Sequence, residues 1–143
     1  AASDVYKRQG EETELIISES YSVAKVSAEA KNFSNDGEEI PINVTMTFGV
    51  HLADDALGLE VCVNRTGDDA DIIAAVRGVY MLSEPATQEQ QLEILSSWAG
   101  PRTLAATQLK LNELAASIDR AVVPFPKDME SAFAPEAFAE FFG

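Results

Sequence analysis

The sequence predicts an α+β fold: a four-stranded antiparallel sheet laid down as a meander, then helices packed on one of its faces. Three observations carry this. Apolar residues recur with period two through residues 14–82. They recur at helical spacing after residue 87, and the change falls within one polar stretch, SEPAT (83–87). Strands first and helices second, rather than alternating strand–helix units, is the α+β order.

The first strand is read over residues 14–34, ELIISESYSVAKVSAEAKNFS. Ile17, Tyr21 and Val23 fall on one face and Val26, Ala28 and Ala30 on the other, so a bulge or bend is expected near Val23–Ala24. NDGEE (35–39) reads as a turn. In the second strand Ile42, Val44, Met46, Phe48, Val50 and Leu52 alternate with Asn43, Thr45, Thr47, Gly49 and His51. After the short connection ADDALG, Leu57, Leu59, Val61 and Val63 alternate with Gly58, Glu60, Cys62 and Asn64, and NRTGDDAD follows as a polar loop. The fourth strand, DIIAAVRGVYML, is apolar on both faces, with Ile72, Ala74, Val76, Tyr80 and Leu82 on one and Ile73, Ala75, Val79 and Met81 on the other. One face can meet the helices; the second then needs a sheet, a subunit or a ligand to cover it.

Thr87 and Gln90 have the spacing of a capping box, and Leu92, Leu95, Trp98 and Ala99 mark one face of the helix they begin. Gly100–Pro101 is expected to break it. A longer helix then places Leu104, Leu111, Leu114, Ala115, Ile118 and Val122 on one side, and Pro124 and Pro126 are expected to end it. A last helical segment is predicted from Pro135, with Phe138, Phe141 and Phe142 on one face.

The 143 residues suit one domain, read over residues 10–143. Residues 1–9, AASDVYKRQ, are set aside as non-native: back-translated as GCA GCG TCA GAT GTG TAT AAG AGA CAG they match a sequencing-library adapter. Without Asp4, Lys7 and Arg8 the formal charge moves from −14 to −15. Twenty-four Asp and Glu against ten Lys and Arg argue against nucleic acid as a partner, because phosphate binding relies on clustered cations. Generic solubility and a basic protein partner both fit the acidity, and composition does not separate them. No apolar run is long enough for a membrane span, and residues 1–15 lack the apolar core of a secretory leader. One cysteine, Cys62, allows no internal disulfide, which suits the cytoplasm.

Catalytic groups are sparse. His51 is the single histidine; with Asp54 and Asp55 it could form a base and its orienter, but a solvent-facing strand histidine is the simpler reading. Cys62 between Val61 and Val63 reads as an inert thiol without an activating neighbour. DDAD (68–71) lacks the glycine and terminal glutamate of a calcium loop, and no glycine pattern cradles phosphate. Neither an enzyme, a metal nor a cofactor is expected. What exceeds the needs of one small core is apolar material, chiefly the two-sided fourth strand and the aromatic residues of the helical half.

Two stretches resemble the bacterial export chaperone SecB and its relatives. They are RGVYMLSE (77–84) and LEILSSWAGPRTLAATQLKLNELAASIDRAVVPFPKD (92–128), with Gly78–Val79–Tyr80, Pro101–Arg102–Thr103–Leu104 and Phe125–Pro126 as the matching phrases. The family's Pro-Tyr-Ala-Arg phrase is absent after Leu104, and the interval from Pro101 to Phe125 is longer by about one helical turn, so the resemblance is to a divergent member. It implies a cytoplasmic holdase without cofactor, assembled as a homotetrameric dimer of dimers. Its partners would be unfolded or preprotein clients, and the SecA motor or a toxin–antitoxin partner. On this reading Tyr80, Trp98, Phe125, Phe138, Phe141 and Phe142 contact clients or floor their groove, and Ile73, Val79 and Met81 pack in assembly. A small-ligand-binding protein or an acidic adaptor oligomer of the same fold class remains the alternative.

Overall fold

The computed structural model describes residues 15–32, 41–120 and 124–142. The adapter-like segment 1–9 and the expected turn at 35–39 lie outside the described residues, as does Val122. Four antiparallel strands, β1 (Ile16–Ala30), β2 (Ile42–Ala53), β3 (Ala56–Gly67) and β4 (Ala70–Leu82), form one sheet. Helix α1 (Gln88–Ile94), a π-helical turn (Leu95–Ala99) and helix α2 (Gly100–Ser117) follow without interruption. A 3-10 segment (Lys127–Phe133), the short α3 (Pro135–Phe138) and a final 3-10 turn (Ala139–Phe142) complete the chain. No helix among the described residues is long and apolar enough to cross a membrane.

The fold class is as the sequence predicts, but the strand order is not a simple meander. The sheet runs β1-β4-β3-β2: β2, β3 and β4 form consecutive hairpins, and β1 returns to pair with β4. This is a Greek-key arrangement. The reason lies in strand composition. β4 is apolar on both faces and takes a central place beside β3, whereas β1 and β2 alternate with Ser, Thr and Asn and take the edges. A simple meander would leave the two-sided β4 at an edge.

The expected bulge in β1 is present, as a register shift between Val23 and Lys25. Ala24 absorbs the change of phase, so Tyr21, Val23, Val26 and Ala28 all share the helix side, opposite Gly78, Val76, Ala74 and Ile72. NRTGDDAD is mostly strand rather than loop. β3 continues to Gly67 and β4 begins at Ala70, because Arg65 keeps the inward parity of Val61 and Val63 and finds a partner in Asp69.

Two further corrections concern the helices. The capping box at Thr87 and Gln90 forms, with Gln90 N donating to Thr87 Oγ1 at 3.1 Å and Thr87 N donating to Gln90 Oε1 at 2.8 Å. Gly100–Pro101, however, does not break the rod. The amide of Gly100 reaches the Leu95 carbonyl, the wide spacing of a π turn, which gives the pyrrolidine ring of Pro101 room in the first turn of α2. Gly100 also admits Phe133: an added Cβ would lie 2.5 Å from Phe133 Cγ.

The end of α2 comes at Ser117, ahead of the prolines. Asp119 takes a left-handed conformation (φ 57°), Arg120 N donates to the Ala115 carbonyl and Asp119 N to that of Ala116. These are the two bonds of a Schellman cap, with aspartate where glycine is usual.

The core lies between the helix side of the sheet and the helices. Leu57, Leu59, Val61, Val63, Ile72, Ala74, Tyr80 and Leu82 meet Ile94, Leu95, Leu104, Leu111, Phe133 and Phe138.

Candidate functional site

Three of the aromatic residues singled out by sequence sit deep in the molecule. Tyr80 is fully buried; its hydroxyl lies 2.7 Å from Thr103 Oγ1 and 3.3 Å from both the Ala99 carbonyl and the Tyr21 hydroxyl. Burial pushes this hydroxyl well above the usual tyrosine range, and burial likewise raises that of Tyr21. Both stay protonated near neutrality, so the pair makes a neutral network rather than a proton-transfer site. Gly78 allows the approach of α2, since a Cβ there would fall 2.8 Å from Thr103 Oγ1.

Trp98 is buried at the sheet edge, where its Nε1 donates to Glu19 Oε2 at 3.1 Å. Arg102 closes the arrangement by donating to Glu19 Oε1 at 3.1 Å, with its guanidinium 3.6 Å from the Trp98 ring centroid. Phe138 is fully buried against Phe48 (5.2 Å between ring centroids) and Phe133 (6.2 Å). Phe125, Phe141 and Phe142 are half-buried against the core, with Phe141 6.2 Å from Phe48.

The sequence-predicted residues therefore divide. Phe138, Phe141 and Phe48 come together beside β2, and Phe125 and Phe142 pack on the same core. Tyr80 and Trp98 belong to a separate cluster with Glu19, Tyr21 and Arg102. Ile73, Val79 and Met81 stand on the opposite, open face of the sheet, the first two half-buried and Met81 exposed.

Among the described residues, several surfaces stay open around this core. The first is a groove of about 260 Å³ between β1 and α2, lined in part by Tyr21, Val23, Val76, Ala106 and Leu109. Its apolar side chains are unusually bare: Val23 is 50% exposed and Leu109 63%. The second is the flank of β2, where Val44, Met46, Phe48, Val50 and Leu52 are half-buried on the helix side. β2 is also an edge strand, and among the described residues no backbone group pairs with its outer side. The third is a hollow of about 500 Å³ on the open face, floored by Gly49 and Gly58 and walled by His51, Val79 and the Arg77–Glu60 ion pair (2.8 Å).

His51 is exposed on that open face, and Cys62 is half-buried there as a free thiol. Among the described residues no group of three or more His, Cys, Asp or Glu could hold a metal ion. Two of the three acids of DDAD are held in ion pairs. Asp69 pairs with Arg65 at 2.7 Å, which holds its carboxyl below the usual range, and Asp71 pairs with Lys31 at 2.9 Å.

Sequence reasoning missed the two polar clusters that fasten β1. At one end Glu19 joins Trp98 and Arg102; at the other Arg120 donates to the carbonyls of Lys31 and Asp69, both at 2.9 Å. The signal was parity. Glu19 and Arg65 each interrupt an apolar row on the inward face, where a charge without a partner would be costly.

No family model and no curated protein matches the chain by sequence. By structure it is similar to the SecB-like chaperone Rv1957 of Mycobacterium tuberculosis, solved in complex with a ChAD peptide from the HigA1 antitoxin Rv1956. The TM-score is 0.62 at 8% identity, over 75% of this chain and 86% of that one. A protein of unknown function from Streptococcus agalactiae aligns at a TM-score of 0.40 and 14% identity, over 75% and 93% of the two chains. The four-stranded antiparallel sheet backed by helices is thus a SecB-like fold.

Proposed function

We propose that the chain is a holdase: a cytoplasmic chaperone that keeps unfolded or not yet exported polypeptides from aggregating, without catalysis or a cofactor. One observation carries the reading. After the core is filled, Phe125, Phe141 and Phe142 remain half-exposed upon it, with Phe141 beside Phe48 in the half-buried row of β2. Phe138 forms the floor of that surface, whereas Tyr80 and Trp98 are core supports of the separate cluster with Tyr21 and Glu19.

A client side chain covering about 60 Å² of this apolar surface gains roughly 1.5 kcal/mol. Micromolar holding corresponds to about 8 kcal/mol, so it takes several such contacts and little side-chain specificity. That suits a promiscuous binder. The SecB-like fold supports the reading, and the antitoxin peptide on the mycobacterial neighbour makes a dedicated toxin–antitoxin client the alternative to export through a SecA motor.

Assembly is the second half of the proposal. A dimer of dimers needs two separate contact surfaces. Tyr21, Val23, Val26 and Leu109 offer one, and Ile73, Val79 and Met81 on the open face offer the other.

The test is suppression of aggregation of a denatured client on dilution, followed by light scattering. Suppression near stoichiometric chaperone is expected, and none at several-fold excess would contradict the reading. Phe141→Asp with Phe142→Asp should weaken suppression while leaving the circular dichroism spectrum intact. Phe138→Asp is unsuitable, because Phe138 is core.

The hollow over Gly49 and Gly58 favours a second reading, a small-ligand carrier. Ligand-dependent thermal stabilisation that Arg77→Ala abolishes would support it over the holdase.

A further inference from the structure

The two edges of the sheet are built differently. β1 carries two register shifts and the charges of Glu19, Lys25 and Glu29. Bulges and charges are the devices that keep an edge strand from pairing with another chain. β2 has neither. Its twelve residues, INVTMTFGVHLA, include no Asp, Glu, Lys, Arg or Pro, and they pair with β3 in unbroken register from Ile42 opposite Gly67 to Ala53 opposite Ala56. About half the residues of such an edge direct both N–H and C=O outward, in a straight row.

We infer that the outer edge of β2 accepts an extended client segment as a fifth strand, so that client backbone as well as client side chains is held. The inference rests on the holdase reading and deepens it. Backbone pairing is blind to side-chain identity, which is what a receptor for many unfolded chains requires. The pleat then sets one rule. Every second client residue would fall on the helix side, beside Val44, Met46, Phe48 and the adjoining Phe141, and should be apolar. The intervening residues would fall beside Thr45, Thr47, Gly49 and His51, where small or polar side chains fit.

A second copy of the chain is the competing occupant. Phe48, near the middle of β2, lies against Phe133, Phe138 and Phe141 of the C-terminal segment. A symmetric β2–β2 pair would bring two such segments onto its axis, whereas a single extended client brings none.

The experiment uses the full chain and two dye-labelled synthetic peptides of alternating valine and threonine. They have identical side chains, but one is N-methylated at every residue, which removes the donors of both strand edges. Fluorescence anisotropy should show the plain peptide binding and the methylated one at least tenfold weaker. Thr45→Lys with Thr47→Lys, both on the exposed side away from the aromatic ridge, should weaken the plain peptide by a similar factor. Equal binding of the two peptides, with aggregation still suppressed, would overturn strand addition and leave the holdase standing. Failure of both peptides to bind, with no suppression of aggregation, would remove the holdase reading and this inference together. A dimer that persists without peptide and is abolished by the two lysine substitutions would assign the edge to a second copy and so also overturn the inference.

Discussion

β1 and β2 are both edge strands of one sheet, yet the chain treats them in opposite ways. β1 is fastened at both ends by side chains from elsewhere: Trp98 and Arg102 hold Glu19, and Arg120 holds the Lys31 carbonyl just past Ala30. β2 is joined to the rest by its ladder with β3 and by apolar contact from the C-terminal aromatic residues. The comparison teaches that edge character is set by more than hydropathy, since both strands alternate apolar and polar residues. Long-range polar contacts and broken register fix one edge, and the other keeps unbroken register with its neighbour.

The largest way to break the contrast is at the far end of β1. Arg65→Ala leaves Asp69 buried without its partner, and breaking such a pair costs about 3–5 kcal/mol. Urea denaturation should report that loss, with added exchange of amides near Lys31, because Asp69 and Lys31 share Arg120. Glu19→Ala acts at the other end. It removes the carboxylate that accepts from both the Trp98 indole and the Arg102 guanidinium, for a loss of about 1–3 kcal/mol in the same assay.

Acid sharpens the comparison by degrees. The folded pKa of Asp69 is lowered, chiefly by its hydrogen bond from Arg65. Its contribution is therefore complete above the ordinary carboxylate value near 3.8 and is lost as pH falls through the lower, folded value. A denaturation series from pH 6 to pH 2 should show that fall, and Asp69→Asn should flatten it. The smallest expected effect spares both edges. Asp119→Gly removes the cost of a left-handed aspartate and should raise stability by about 0.5–1 kcal/mol.

The elements that obey a simple period were legible in the sequence: the alternation of β2 from Ile42, the capping box at Thr87, the bulge near Ala24 and the start of α3 at Pro135. What escaped depends on contacts distant in sequence. Pairing of β1 with β4 is decided by which strands need two neighbours, not by either strand alone. Arg65 reads as loop until Asp69 is seen to meet it. Pro101 reads as a break until the π turn ahead of it is seen. For the candidate surface, the aromatic residues were visible as a group. The depth of each was not: Phe138 and Phe142 are four residues apart, one fully buried and one half-buried.

The central claim, that clients are held along β2 and its aromatic flank, is tested most directly by amide hydrogen exchange with and without a saturating unfolded client. The account predicts new protection confined to residues 42–53 and 133–142, with β1 unchanged. Protection of β1, or of the open face around Ile73 and Val79, with β2 unaltered would contradict it.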